Sequence, residues 1–284
     1  MIGNIHEACP GGVELMWRCL AALWLLVAAP ALAIDPGIAS GRYHGEGGEI
    51  IFSHSIALRQ GNEEGLIDAN RTMRVVLSDV EVLPRALQGI AFLPVEAMAK
   101  AGEWRGLLLQ FDPAYRSSML VTILAEPSEG ASLATITLTD TTGLWKKLNV
   151  AATRIGGDID HEADDYGFTA SFSAPVFENK VTADLKGPAA QASEQVRLLI
   201  AREQAFARGD LDAAKAMTSA RGRAVFDTLP PEYLAELRTA APASIADYRR
   251  IARVVVRGES AVAILPEAGS WQSFTRDEGK WLIE

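Results

Sequence analysis

One change of hydrophobic period governs what this chain can become. Between Ala39 and about Gly187, apolar residues recur at every second position. Beyond the small-residue stretch LKGPAAQAS, Leu185–Ser193, they recur at every third or fourth. The first spacing belongs to strands with one buried face, the second to helices with a buried stripe. The alternation runs through Ile50, Phe52, His54, Ile56 and Leu58, then Met73, Val75 and Leu77. It continues in Leu107, Leu109 and Phe111, in Met119, Val121 and Ile123, in Ile136 and Leu138, and in Phe168, Ala170 and Phe172. Clusters of Gly, Asp and Asn separate these runs, as in GNEEGLIDAN and IGGDIDHEADDYG, which are turn chemistry. One interruption, PRALQGIAFLPVEAMAKAG, predicts a short helix after Pro94. The expectation is an antiparallel β-sandwich or open barrel of about eight strands.

After the linker, Val196, Leu199, Ile200 and Phe206 form a helical stripe with Ser193 as N-cap, and Glu203 is read onto the polar face with Glu194, Arg197, Arg202 and Arg208. Gly209 breaks this helix and Asp210 caps the next, as their backbone and side-chain chemistry favour. PPEYLAELRTA is a third helix with its prolines at the start. YRRIARVVVRG, SAVAILP, SWQSFTRD and KWLIE then read as strands. Helices followed by an antiparallel sheet give an α+β class. The expected organisation is a leader over residues 1–33, a β-rich domain over 34–187 and an α+β domain over 188–284.

The leader expectation rests on Leu20–Ala29, LAALWLLVAA, preceded by Arg18 and followed by APALA. That apolar run is too short to cross a bilayer, and Ala31 and Ala33 fit the small-x-small rule for signal cleavage. Met16 suits a start better than Met1, since Glu7 and Glu14 dilute a basic n-region. Cys9 and Cys19 both precede the cut, so the mature chain is expected to hold neither a disulfide nor a thiolate metal site. The whole chain has 27 basic and 36 acidic side chains, and losing Arg18, Glu7 and Glu14 leaves a net charge of −8. That balance argues against binding a phosphate backbone. It suits a periplasmic or secreted bacterial protein with no stable membrane insertion once the leader is cut.

AREQAFARGDLDAAKAM, Ala201–Met217, followed by VVVRGESAVAIL and SWQSFTRDEGKWLIE, resembles the nuclear transport factor 2-like superfamily, which includes SnoaL-type cyclases and ketosteroid isomerases. The likeness covers about Ser193–Glu284. It implies a curved sheet wrapped on helices, with a cone open at one end. Where members of that superfamily are enzymes, acid–base side chains point into the cone. The β-rich part is similar to domains of uncharacterised secreted bacterial proteins, which imply no activity.

Ser193–Glu284 has no histidine, and the acids Asp210, Asp212, Asp227, Glu232, Glu259, Glu267, Asp277 and Glu278 fall at turns and helix starts, as caps and solvent-facing groups do. Alternation through YRRIARVVVRG places Tyr248, Arg250, Val254 and Val256 inward and Ile251, Val255 and Arg257 outward. Tyr233, Tyr248, Arg250 and Trp271 are the candidate ligand-binding residues, Arg250 for an anion, with Trp281 a further aromatic. The acids around His161, Asp158, Asp160, Glu162, Asp164 and Asp165, lack the D-x-[DN]-x-[DN]-G calcium pattern; an exposed acidic hairpin loop is expected. His44 and His54 lie on neighbouring strands, with His54 a hydrogen-bonded core residue. No nucleophile elbow, phosphate loop, H-E-x-x-H or dinucleotide fingerprint occurs. The reading is therefore a binding or scaffolding module for an envelope protein or small ligand, with no catalytic residue, cofactor or metal. The alternatives are an isomerase or cyclase using Tyr248, Tyr233 or Asp227, and a homodimer joined through Ile251, Val255 or Trp271.

Overall fold

A computed structural model describes residues 36–284 apart from 46, 62–71, 90–92, 116–117, 126–132, 142 and 268. The expected leader lies outside the described residues. The protein is α+β, built on two antiparallel sheets with helices.

The first sheet holds β1 (Ile38–His44), β2 (Ile50–Gln60), β3 (Met73–Ser78), β4 (Gly106–Phe111), β5 (Ser118–Leu124), β6 (Thr135–Thr139), β7 (Trp145–Val150), β8 (Arg154–Glu162) and β9 (Gly167–Asn179). Their order is β6-β5-β4-β3-β2-β1-β9-β8-β7, and the end of β2 also pairs in parallel with β9. The sheet curls. Trp145 on the edge strand β7 meets Phe111 of β4, with ring centroids 5.0 Å apart, although five strands lie between them in the order. Tyr43, Ile50, Phe52, Met73, Leu109, Phe168 and Phe172 fill the inside of this curl.

Strands β3 and β4 are buried on both faces because a second core covers the outside. A 3₁₀ turn, Pro84–Leu87, and helix α1 (Pro94–Lys100) lay Ala86, Leu87, Val95 and Ala99 over Ile56, Leu58, Val76, Leu108 and Leu124. This corrects the reading of β2. Ile50 and Phe52 face the inner core, but Ile56 and Leu58 face the outer one and Ala57 takes their place inside. The β1–β2 register slips between Ile38 and Gly41. A slip of this kind exchanges the faces of everything beyond it.

The second sheet begins just ahead of the expected linker and runs into it. Strand β10 (Ala183–Lys186) pairs with β11 (Arg253–Arg257), and β12 (Ser260–Ile264), β13 (Trp271–Asp277) and β14 (Lys280–Ile283) follow in order. The change of sheet thus falls between Asn179 and Ala183, ahead of residue 187. Helix α2 (Pro188–Gln191) comes next, then α3 (Glu194–Arg208), α4 (Leu211–Ala216), α5 (Ala220–Thr228) and α6 (Pro231–Tyr248). Ser193 and Asp210 cap α3 and α4 by accepting from Val196 N and Ala213 N. Gly209, at φ 74°, ends α3 in the left-handed conformation that glycine tolerates best. Val196 and Leu199 of α3 pack on Val254, Ala261, Ala263, Phe274, Trp281 and Ile283.

Buried polar groups tie the sheets together. Asn179 donates to Gln60 Oε1 at 2.7 Å, and Arg257 Nη1 donates to the Asn179 carbonyl at 2.6 Å. Arg74, 4% exposed, donates from Nη1 to the carbonyls of Leu87 and Gly89 at 2.8 and 2.7 Å. Burial lowers its pKa to about 10, Glu96 opposing and Arg257 adding to the shift.

Candidate functional site

The four expected ligand residues do not converge. Tyr248 ends helix α6 and Arg250 sits in the turn after it, so neither is on a strand; β11 starts only at Arg253. Helix α6 runs on through Pro242, which the sequence reading took as lying beyond the helix. Tyr233, 53% exposed, is fifteen residues before Tyr248, about 22 Å along the helix at 1.5 Å per residue. Arg250 is exposed and donates to Asp247 Oδ1 at 3.1 Å. Trp271 shares a sheet face with Ser273, opposite Phe274, whereas Tyr248 packs on the Phe274 side. Asp227 pairs with Lys215. Ile251 and Val255, expected at a subunit interface, are both buried within the chain.

The acidic stretch is mostly strand, not loop. Only the turn around Ala163–Tyr166 separates β8 from β9. Asp158, Asp160 and Glu162 project from one face of β8 and meet Lys147, Lys146 and His44. A register slip between Trp145 and Lys147 presents the two consecutive lysines to neighbouring carboxylates. His44 and His54 are not partners: His44 Nε2 lies 3.1 Å from Glu162 Oε1, and the half-exposed His54 bonds Ser53 Oγ at 2.7 Å.

Glu203 was misplaced by the sequence reading. Val196, Leu199, Glu203 and Phe206 follow the i, i+3, i+7, i+10 spacing of one helix face, and Glu203 is 5% exposed. Its Oε1 accepts from Arg202 Nε and Nη2 at 3.2 and 3.0 Å. Burial raises its pKa above the ordinary carboxylate value, and Arg202 partly opposes this. Burial also raises the Tyr248 pKa, and the nearby Arg202 partly opposes this. The spacing alone was a sufficient signal for this buried acid. The C-terminal interior therefore does contain a titrating carboxylate, contrary to expectation, held among packed side chains. Of four open clefts on the described surface, none has Glu203, Arg202 or Tyr248 in its walls.

One of those clefts lies between the two sheets. It encloses about 660 Å³. One wall is the cover of the first sheet: Val82, Ala86, Pro94, Met98 and Trp104. The other is formed by hairpin tips of the second sheet: Glu259 and Ser260 after β11, and Thr275–Glu278 at the end of β13, with Glu284 beside them. Trp104 is 4% exposed, and its indole N–H has no hydrogen-bond partner. Burial raises the Glu284 pKa, while Ser273 and Arg221 hold it down. The sequence reading placed Glu259, Asp277 and Glu278 at turns and a short helix after Pro94, but joined none of them into a site. The usable signal was the apolar insertion PRALQGIAFLPVEAMAKAG within an otherwise regular run of strands, since insertions on a rigid sheet are where binding surfaces concentrate. Comparison with protein-family models, with curated proteins and with solved structures finds no match to this chain.

Proposed function

We propose that this chain is a binding module of the bacterial envelope that engages a partner in the cleft between its two sheets. In this reading the first 33 residues deliver it to the periplasm or outside, the first sheet is an open barrel, and the C-terminal part is a nuclear transport factor 2-like cone. The observation that carries the proposal is the cleft itself. Its apolar wall and polar hairpin rim are what a ligand site needs. The cone interior, by contrast, is occupied by Phe274, Trp281, Ile283 and Leu199. The test is capture from an envelope extract by the full chain and by Met98→Lys, which puts a charge on the apolar wall. Proteins retained by the wild type and lost by the variant support the reading; identical capture by both refutes it.

A second reading, an isomerase or cyclase, draws on Glu203 and Tyr248, two groups whose pKa values burial raises, as acid–base residues require. It needs an opening to Glu203 through the packed stripe of Val196, Leu199 and Phe206. A homodimer would have to use a surface other than Ile251 and Val255, and light scattering across a concentration series tests it.

A further inference from the structure

Resting on that cleft reading, we infer that its occupant is a basic amphipathic peptide segment of a partner protein. The two walls differ in chemistry. The floor formed by Val82, Ala86, Met98 and Trp104 is apolar. Among the described lining residues the rim carries Glu81, Glu259, Asp277, Glu278 and Glu284 against Arg85 and Arg276, with Arg221 acting on Glu284 from outside the lining. Arg276 keeps its charge but is held in place: its Nε donates to the Gly279 carbonyl at 3.1 Å and its guanidinium lies 5.6 Å from the centre of the Trp281 ring; the acids still outnumber the arginines. The rim is thus left with a negative field that favours lysine or arginine and opposes an acidic ligand.

The apolar floor is a second observation, independent of charge: apolar side chains of a docked segment cover such a surface, as they do in peptide-binding grooves. Basic side chains on one face of the segment meet the rim while apolar ones on the other cover Met98 and Trp104. A simple polyamine satisfies the rim but not the apolar floor.

The test uses the full chain and fluorescently labelled short peptides of alternating Lys and Leu, Glu and Leu, or Lys and Ser, followed by anisotropy. The Lys/Leu peptide is expected to bind at least tenfold more tightly than the other two. Its affinity should fall about tenfold between ~0.1 M and ~1 M salt, as the screening length shrinks from ~10 Å to ~3 Å. The triple variant Glu259→Gln, Asp277→Asn, Glu278→Gln replaces exposed groups, so its melting temperature checks that it folds. It should lose about tenfold in Lys/Leu affinity. Equal binding of the Glu/Leu peptide, no binding of the Lys/Leu peptide, or an unaffected triple variant overturns the inference. If envelope capture still depends on Met98 while the Lys/Leu peptide does not bind, the basic-peptide assignment fails and the cleft reading stands. If both are negative, both fail.

Discussion

Replacing Glu203 by glutamine tests whether burial or pairing dominates at the acid inside the helical layer. The amide keeps the shape and still offers an oxygen to Arg202. It gives up bonding between two charged groups for bonding in which only Arg202 is charged, a loss of ~1 kcal/mol. It also escapes the burial cost that raises the Glu203 pKa in spite of Arg202. A folded pKa above the unfolded one means that the folded state holds its proton more firmly. That contribution to stability is fully present below the unfolded pKa and is lost as pH rises through the folded pKa, by at most ~1.4 kcal/mol per pH unit for one proton. Glutamine has no such loss. At neutral pH the variant should equal or exceed the wild type, by ~1 kcal/mol at most, and the difference should close on acidification. Glu96 and Glu284 are shifted in the same direction by burial, but they titrate in both proteins and cancel in the difference. Urea unfolding followed by far-ultraviolet circular dichroism, in buffers from about pH 4 to about pH 8, gives the two curves. A glutamine variant weaker by more than ~1 kcal/mol at neutral pH, with a deficit that shrinks in acid, would show that the Arg202 pair outweighs burial and refute the reasoning.

Arg74→Met leaves the carbonyls of Leu87 and Gly89 without the donors that reach them at 2.8 and 2.7 Å. It should cost ~2–4 kcal/mol, after allowing for the burial cost recovered with the charge, and urea unfolding at neutral pH measures it; wild-type stability would mean that those carbonyls find other donors. Gly41→Ala places a Cβ 2.0 Å from the Thr169 carbonyl at a residue with φ of +128°. The β1–β9 pairing must open there, so a loss of ~3 kcal/mol or more, or an insoluble product, is expected, read as a melting temperature or as soluble yield.

Much of the fold was legible because periodicity and capping are local. Ser193, Gly209 and Asp210 each do what their chemistry prescribes, and the α+β class follows from the order of the periods. The departures arise where a distant partner decides. In β2 a slip against β1 exchanges the faces beyond Phe52, and alternation along one strand carries no record of its neighbour's register. Tyr248–Ala252 alternates as a strand would, yet the helix continues through Pro242 because α6 packs along α3, Ala241 and Ala205 sharing one core. Glu203 differs in kind. Its position was legible from the spacing Val196, Leu199, Phe206, and was missed because an acid was taken to belong on a polar face. The cleft was not legible, since its walls join residues more than 150 positions apart, such as Trp104 and Glu259.

The buried junction accounts for why that cleft has a fixed shape. Apolar contacts are nondirectional, so they hold the 3₁₀ turn and α1 against the first sheet without setting their position along it. Arg74 sets it. Its two bonds end on Leu87 and Gly89, within the segment that lends Ala86, Gln88 and Gly89 to the cleft wall. Arg257 does the same on the other side: it is bonded to the Asn179 carbonyl and stands two residues before Glu259 on the opposite rim. Each wall is therefore pinned by a guanidinium whose donors meet carbonyls at fixed angles, a use of buried charge that favours definition over stability. It follows that Arg74→Met, in conditions where it remains folded, should weaken Lys/Leu peptide binding although Arg74 lies outside the lining of the cleft. Unchanged binding in a folded Arg74→Met protein would show that packing alone holds the wall in place.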